Sequence, residues 1–111
     1  MDNRELALTY IHCFCAGDID GLAPLLAPDL TFSGTFHSFA SSEAYLSSLR
    51  DDPPERGQCK IQSVTEDSTS VAVFYEYHKP EGVMQLAQLF RMSGQKISDI
   101  LLVFDGRQLS G

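Results

Sequence analysis

The side chain most suggestive of chemistry in this sequence is an amide. Gln88 stands inside the apolar run Met84-Gln85-Leu86-Ala87-Gln88-Leu89-Phe90. A buried amide needs hydrogen-bond partners and is seldom retained for packing alone, so Gln88 marks a polar contact within a core or a cavity. Tyr10, in an apolar helical stretch, is a core aromatic whose hydroxyl also needs a partner, and Tyr75 serves as cavity wall or ligand contact. His37 is the one imidazole in an aromatic-rich loop, and a neutral imidazole suits general-base work near neutral pH; its plainer role is that of an exposed loop residue. His12 and Cys15 are three apart on one helix and could share a metal ion, but no further ligand follows at short spacing, so they read as an ordinary surface pair. Glu76 and His78 share one face of a strand and read as a polar pair at an interface. Asp99 and Asp105 fall at a sheet rim. The sequence contains no nucleophile elbow, phosphate loop or HExxH pattern, and no metal or cofactor is expected.

The elements that must position these groups follow from periodicity. Asp2 with Glu5 three residues on fits a capping box, and Leu6, Tyr10, Cys13 and Phe14 form one helical stripe that ends at Gly17. Asp18-Ile19-Asp20-Gly21 restarts the chain into a short second helix with Leu22, Leu25 and Leu26, partly 3₁₀ because Pro24 has no amide hydrogen. Ala27-Pro28-Asp29 closes it, and Leu30-Thr31-Phe32-Ser33 is a short strand. Residues 35–40 read as a loop laying Phe36 or Phe39 over the core. Ser41 or Ser42 caps a third helix with the stripe Tyr45, Leu46 and Leu49, broken by Pro53-Pro54. From Cys59 the period becomes two. Cys59–Glu66 and Ser70–His78 are strands joined at Asp67-Ser68-Thr69, and Val83–Met92 and Lys96–Asp105 form a β-hairpin about Ser93-Gly94-Gln95. Helices followed by a run of antiparallel strands imply an α+β domain with the helices on one face of a curved sheet.

Composition narrows the partners. With 111 residues, 43% hydrophobic and 21% charged, the chain is expected to be a single globular domain over residues 1–111. A formal charge of -7 repels polyphosphates, so neither nucleic acid nor an anionic membrane is an expected partner. Neither a secretory pattern nor a run of membrane-span length is present. The three cysteines, Cys13, Cys15 and Cys59, are an odd count and read as reduced thiols of a cytoplasmic protein.

The segments Tyr10–Leu22, Leu26–Phe32, Gln88–Arg91 and Gly94–Asp105 resemble the nuclear transport factor 2-like superfamily, which includes the SnoaL-like polyketide cyclases and the ketosteroid isomerases. The resemblance covers nearly the whole chain. It implies a cone in which three N-terminal helices pack on a strongly curved, mostly antiparallel sheet around an apolar cavity. Val71, Val73, Tyr75, Leu86, Gln88, Phe90, Ile100, Leu102 and Phe104 would then point inward. Ligand contacts would come from Tyr10, Phe14, Phe32, Tyr75, Gln88, Phe90 and Phe104. Leu89, Leu101 and Val103 would face out, and their exposure favours a homodimer through the outer sheet face.

The resemblance also constrains activity. In the isomerases a helix-one tyrosine and a protonated acid on the strand that matches Val83–Met92 donate to a developing oxyanion, while an aspartate after the first strand moves the proton. Tyr10 matches the tyrosine, Gln88 stands at the acid and Gly34 at the base. Tyr10 and Gln88 could still polarise a carbonyl, because an amide donates hydrogen bonds. Two functions follow: a domain that binds a small apolar ligand and orients its carbonyl or hydroxyl through Tyr10 and Gln88, or a cofactor-free isomerase, cyclase or hydrolase with His37 as base.

Overall fold

The structure, a computed structural model, describes residues 1–105. Helix α1 spans Asn3–Ala16 and is capped as its sequence dictates: Asp2 accepts from the Glu5 amide at 2.8 Å, and Gly17, at φ 71°, turns the chain out of the helix. Its buried face is Leu6, Ala7, Tyr10, Ile11 and Cys15, so the stripe is rotated toward Ile11 and leaves Cys13 only half-buried. Helix α2, Ile19–Leu22, is capped by Asp18 and passes into a 3₁₀ turn, Ala23–Leu25, at Pro24. Helix α3, Ser42–Asp51, starts at Ser41, whose hydroxyl accepts from the Ala44 amide at 3.1 Å.

The strands are β1 Leu26–Ser33, β2 Ser38–Phe39, β3 Gln58–Glu66, β4 Ser70–Lys79, β5 Gly82–Ser93 and β6 Lys96–Phe104. They form one sheet in the order β2-β1-β6-β5-β4-β3. Only the β1/β6 pair is parallel. The β5/β6 hairpin closes over Gly94-Gln95, with Gly94 at φ 62°, a left-handed conformation that favours glycine. Register shifts interrupt β1/β6, β3/β4 and β5/β6. Such irregularities bend strands and increase local twist, which curls this sheet without closing it. Helix α1 packs against β3 and β4, and α3 against β1 and β2. This is the α+β arrangement of helices on a curved sheet expected from the element order.

Three details differ from the expectations. Strand β1 begins at Leu26, so Ala27-Pro28-Asp29 is extended rather than a helix terminus; Pro28 and Asp29 are exposed where the pairing with β6 is interrupted, a position that tolerates a missing amide hydrogen. Ser38 and Phe39 leave the expected loop to pair with Ser33 and Phe32, and Phe39 rather than the exposed Phe36 covers the core. Cys15 and Cys59 are bonded as a disulfide between α1 and β3, leaving Cys13 as the free thiol. The reduced-thiol reading fails for that pair because folding brings together residues 44 positions apart.

Candidate ligand-binding cavity

Alternation along the two longest strands sets the cavity's axis. From the closed end of β4, Val71, Val73, Tyr75 and Tyr77 face inward and are buried, and Lys79 at the strand's end is only half-buried. On β5 the matching series is Phe90, Gln88, Leu86 and Met84. The hollow between these strands and the helices measures about 300 Å³. That is at the small end of small-molecule sites.

A chain of hydrogen bonds runs through the lining. The Tyr75 hydroxyl donates to Gln88 Oε1 at 2.7 Å. Gln88, 4% exposed, is the one buried polar residue among those described, and its amide lies near enough to Tyr10 to favour that group's ionised form. The Tyr10 and Tyr45 hydroxyls bond each other, joining α1 to α3 across 35 positions of sequence. The Tyr10–Tyr45 bond uses one of their two hydroxyl protons and leaves the other free to donate. One Gln88 N–H is likewise left over. The cluster therefore has donors to spare, and each link polarises the next.

Electrostatics keep these donors protonated. Burial pushes Tyr10 well above the ordinary phenol range, and neighbouring Tyr45 adds to that while Gln88 opposes it. Burial raises Tyr45 and Tyr75 too, with a contrary pull on Tyr45 from the Tyr10 hydrogen bond. The group is a set of neutral donors suited to a carbonyl oxygen, an oxyanion or another acceptor.

Of the residues singled out from sequence, Tyr10, Phe14, Phe32, Tyr75, Gln88 and Phe104 line the cavity. Phe90 does not. It is fully buried behind Tyr10, packed edge to face with that ring at 5.1 Å. His37 is at the cavity's open side, exposed and stacked on Phe39 at 6.3 Å. His12 is exposed and Cys15 is in the disulfide, so the two do not share a metal, and no His, Cys, Asp or Glu cluster among the described residues could hold one. Glu76 and His78 pair at 3.1 Å, and Asp99 accepts from the Thr31 hydroxyl.

Sequence reasoning missed two lining groups. Tyr45 read only as part of the core stripe of α3, yet its ring stacks on Phe32 at 4.7 Å and its hydroxyl bonds that of Tyr10. Tyr77 was passed over beside Tyr75, although the same two-residue period points both inward. The signal available for both was the hydroxyl, which an apolar stripe does not require.

The fold defines a class, the α+β domains in which three helices pack on a curled, unclosed, mostly antiparallel sheet. A family model for the SnoaL-like domain matches residues 7–100, and the chain belongs to that family. Solved structures agree on the fold. An NTF2-like protein of unknown function from Cytophaga hutchinsonii superposes with a TM-score of 0.85 at 19% identity, covering 100% of this chain and 96% of that one. A protein of ketosteroid isomerase-like fold from Catenulispora acidiphila, solved in complex with trimethylamine, gives 0.76 at 16%, covering 95% and 88%. An LEH-like epoxide hydrolase from M. tuberculosis gives 0.77 at 16%, covering 91% and 80%. A comparison with curated proteins found no match. At these identities the neighbours share the fold alone.

Proposed function

We propose that this chain binds a small apolar ligand in its cavity and orients a carbonyl or hydroxyl group of that ligand through Tyr10 and Gln88. The observation that carries the reading is Gln88, buried on an otherwise apolar strand face and tied to Tyr75 and Tyr10. The donor surplus favours a carbonyl over a hydroxyl: the Gln88 amide offers N–H groups, and the Tyr10–Tyr45 pair keeps one proton to donate. A screen of steroids, polyketides, terpenes and aromatic acids by thermal shift and native mass spectrometry tests this. A true ligand stabilises the wild type and loses most of that effect in Tyr10→Phe and Gln88→Leu; equal stabilisation of all three would refute the role given to these groups.

A catalytic version of the same site is the second reading, favoured by His37 at the cavity's open side and by the neighbours described as ketosteroid isomerase-like and as an epoxide hydrolase. It requires the His37 ring to swing from Phe39 toward the floor when ligand binds. Loss of turnover in His37→Ala, with ligand binding intact, is its test.

The proposal includes a homodimer through the outer sheet face. Two cross-strand rows there are apolar, Ala72–Leu89–Leu101 and Phe74–Ala87–Val103, and Ser70–Arg91–Asp99 forms a polar border. Phe74, Leu101 and Val103 are 46%, 41% and 54% exposed, costly for a central patch facing water. A cytoplasmic location is also part of the proposal; there the Cys15–Cys59 bond would stand against a reducing poise, so thiol alkylation of protein taken rapidly from cells tests it.

A further inference from the structure

The chain of donors accounts for three of the four tyrosines, and the fourth is left over. Tyr77 also lines the cavity, one inward position nearer the mouth than Tyr75 on β4. It is only 6% exposed, and its hydroxyl is the one buried side-chain polar atom among the described residues with no hydrogen-bond partner. An unpaired buried hydroxyl is destabilising, and native proteins rarely leave one without a reason.

The surroundings hold the ring in place. Phe14 packs edge to face against it at 6.4 Å, and Lys79 Nζ lies 5.7 Å from its centroid while reaching Glu55 at 3.9 Å. Gly57 presses on the ring's edge so closely that a Cβ there would stand 2.4 Å from Tyr77 Cε1. The disulfide joins Cys15, next to Phe14, to Cys59, which is in register with Tyr77. The segments on both sides of the ring are thus anchored.

Resting on the ligand-binding reading above, we propose that Tyr77 is a second ligand-contacting hydroxyl. The ligand is then an elongated apolar molecule with two oxygen functions: an acceptor held at the floor by the Gln88 cluster, and a second group nearer the mouth, at the Tyr77 hydroxyl. One-ended apolar ketones would fill the floor and leave Tyr77 unpaired.

Two measurements test this. Without ligand, Tyr77→Phe removes an unpaired hydroxyl and keeps the ring, so its melting temperature is expected to equal or exceed that of the wild type. A fall of more than about 4 °C would show a structural partner and overturn the proposal. The second measurement compares two probes by NMR titration: 2-acetylnaphthalene, with one oxygen function, and 6-acetyl-2-naphthol, with a second at the far end of the same rings. The wild type is expected to prefer the naphthol about five- to tenfold, and Tyr77→Phe to reduce that preference to about one. A preference that persists in Tyr77→Phe, or is absent in the wild type while both probes bind, overturns the Tyr77 subsite alone. If neither probe binds, or if Gln88→Leu binds 2-acetylnaphthalene as well as the wild type does, the floor reading fails, and the subsite fails with it.

Discussion

Replacing Gln88 with leucine separates a built polar floor from a core that happens to contain an amide. The substitution keeps roughly the same volume on a strand position that is 4% exposed, so cavity effects are small. It strands the Tyr75 hydroxyl, which donates to Gln88 Oε1 at 2.7 Å, and leaving that donor unpaired costs about 1–3 kcal/mol. Tyr10 keeps its bond to Tyr45, so losing the Gln88 contact there removes only about 1 kcal/mol. Against this, an isobutyl group buries more apolar surface than an amide and returns about 1–2 kcal/mol. The net expectation is a loss of about 1–2 kcal/mol, or a melting temperature lower by about 4–10 °C. The double variant Gln88→Leu with Tyr75→Phe removes both partners and should return to within about 0.5 kcal/mol of the Tyr75→Phe single variant or better, a coupling of about 1–2 kcal/mol. Urea unfolding followed by circular dichroism and tyrosine fluorescence reads all four corners of the cycle. A Gln88→Leu variant as stable as the wild type, or strictly additive effects in the double variant, would refute the hydrogen-bonded floor.

Other consequences of the same structure are measurable. Tyr10, Tyr45 and Tyr75 are all raised by burial above the ordinary phenol value of about 10, so their contribution to stability is intact below about pH 10 and is lost as pH rises toward their folded-state values; the slope approaches about 1.4 kcal/mol per pH unit for each tyrosine, and urea midpoints between pH 8 and 11.5 should flatten in Tyr10→Phe. The Cys15–Cys59 bond closes a loop 44 positions long, for which chain entropy gives up to about 4 kcal/mol, so a reductant or Cys59→Ser should lower the urea midpoint, and an unchanged midpoint would show the bond absent in solution. On the outer face, Leu101→Asp should convert a dimer to a monomer by light scattering, and a wild type that is already monomeric would remove the interface assignment.

The hairpin-connected run β3 to β6 is legible because a period of two marks the strands and the turns carry their own residue signatures, while the choice of the inward face on β4 and β5 comes from the family resemblance. The parallel place of β1 beside β6 has no such local signal. The same reasoning runs out where a contact is distant in sequence. Nothing local to Tyr45 says that its hydroxyl meets Tyr10, 35 positions away, and nothing local to Cys15 points to Cys59. Strand β1 was read four residues short because Pro28 is a breaker in isolation, whereas its site at the interrupted β1/β6 pairing makes the missing amide hydrogen harmless. The resemblance puts Phe90 in the lining through its place on the inward face of the strand. Parity fixes the face, and only the packing of Tyr10 across that face puts Phe90 behind it.

The distribution of polar atoms argues that the hollow is a site and not a packing fault. The chain has four tyrosines, and all four line this one cavity, as does the only buried polar residue described. Elsewhere the core is aliphatic and aromatic, as in Leu6, Ile11, Leu22, Leu30, Ile97 and Ile100. A cavity left by poor packing has no reason to gather hydroxyls, since each one buried there without a ligand must find a partner or destabilise the fold. Three of these hydroxyls are satisfied, Tyr75 by Gln88 and Tyr10 and Tyr45 by each other, and the fourth is left unsatisfied beside Lys79. A surplus of donors at the floor and an unpaired hydroxyl nearer the mouth are the groups that the proposed ligand would complete.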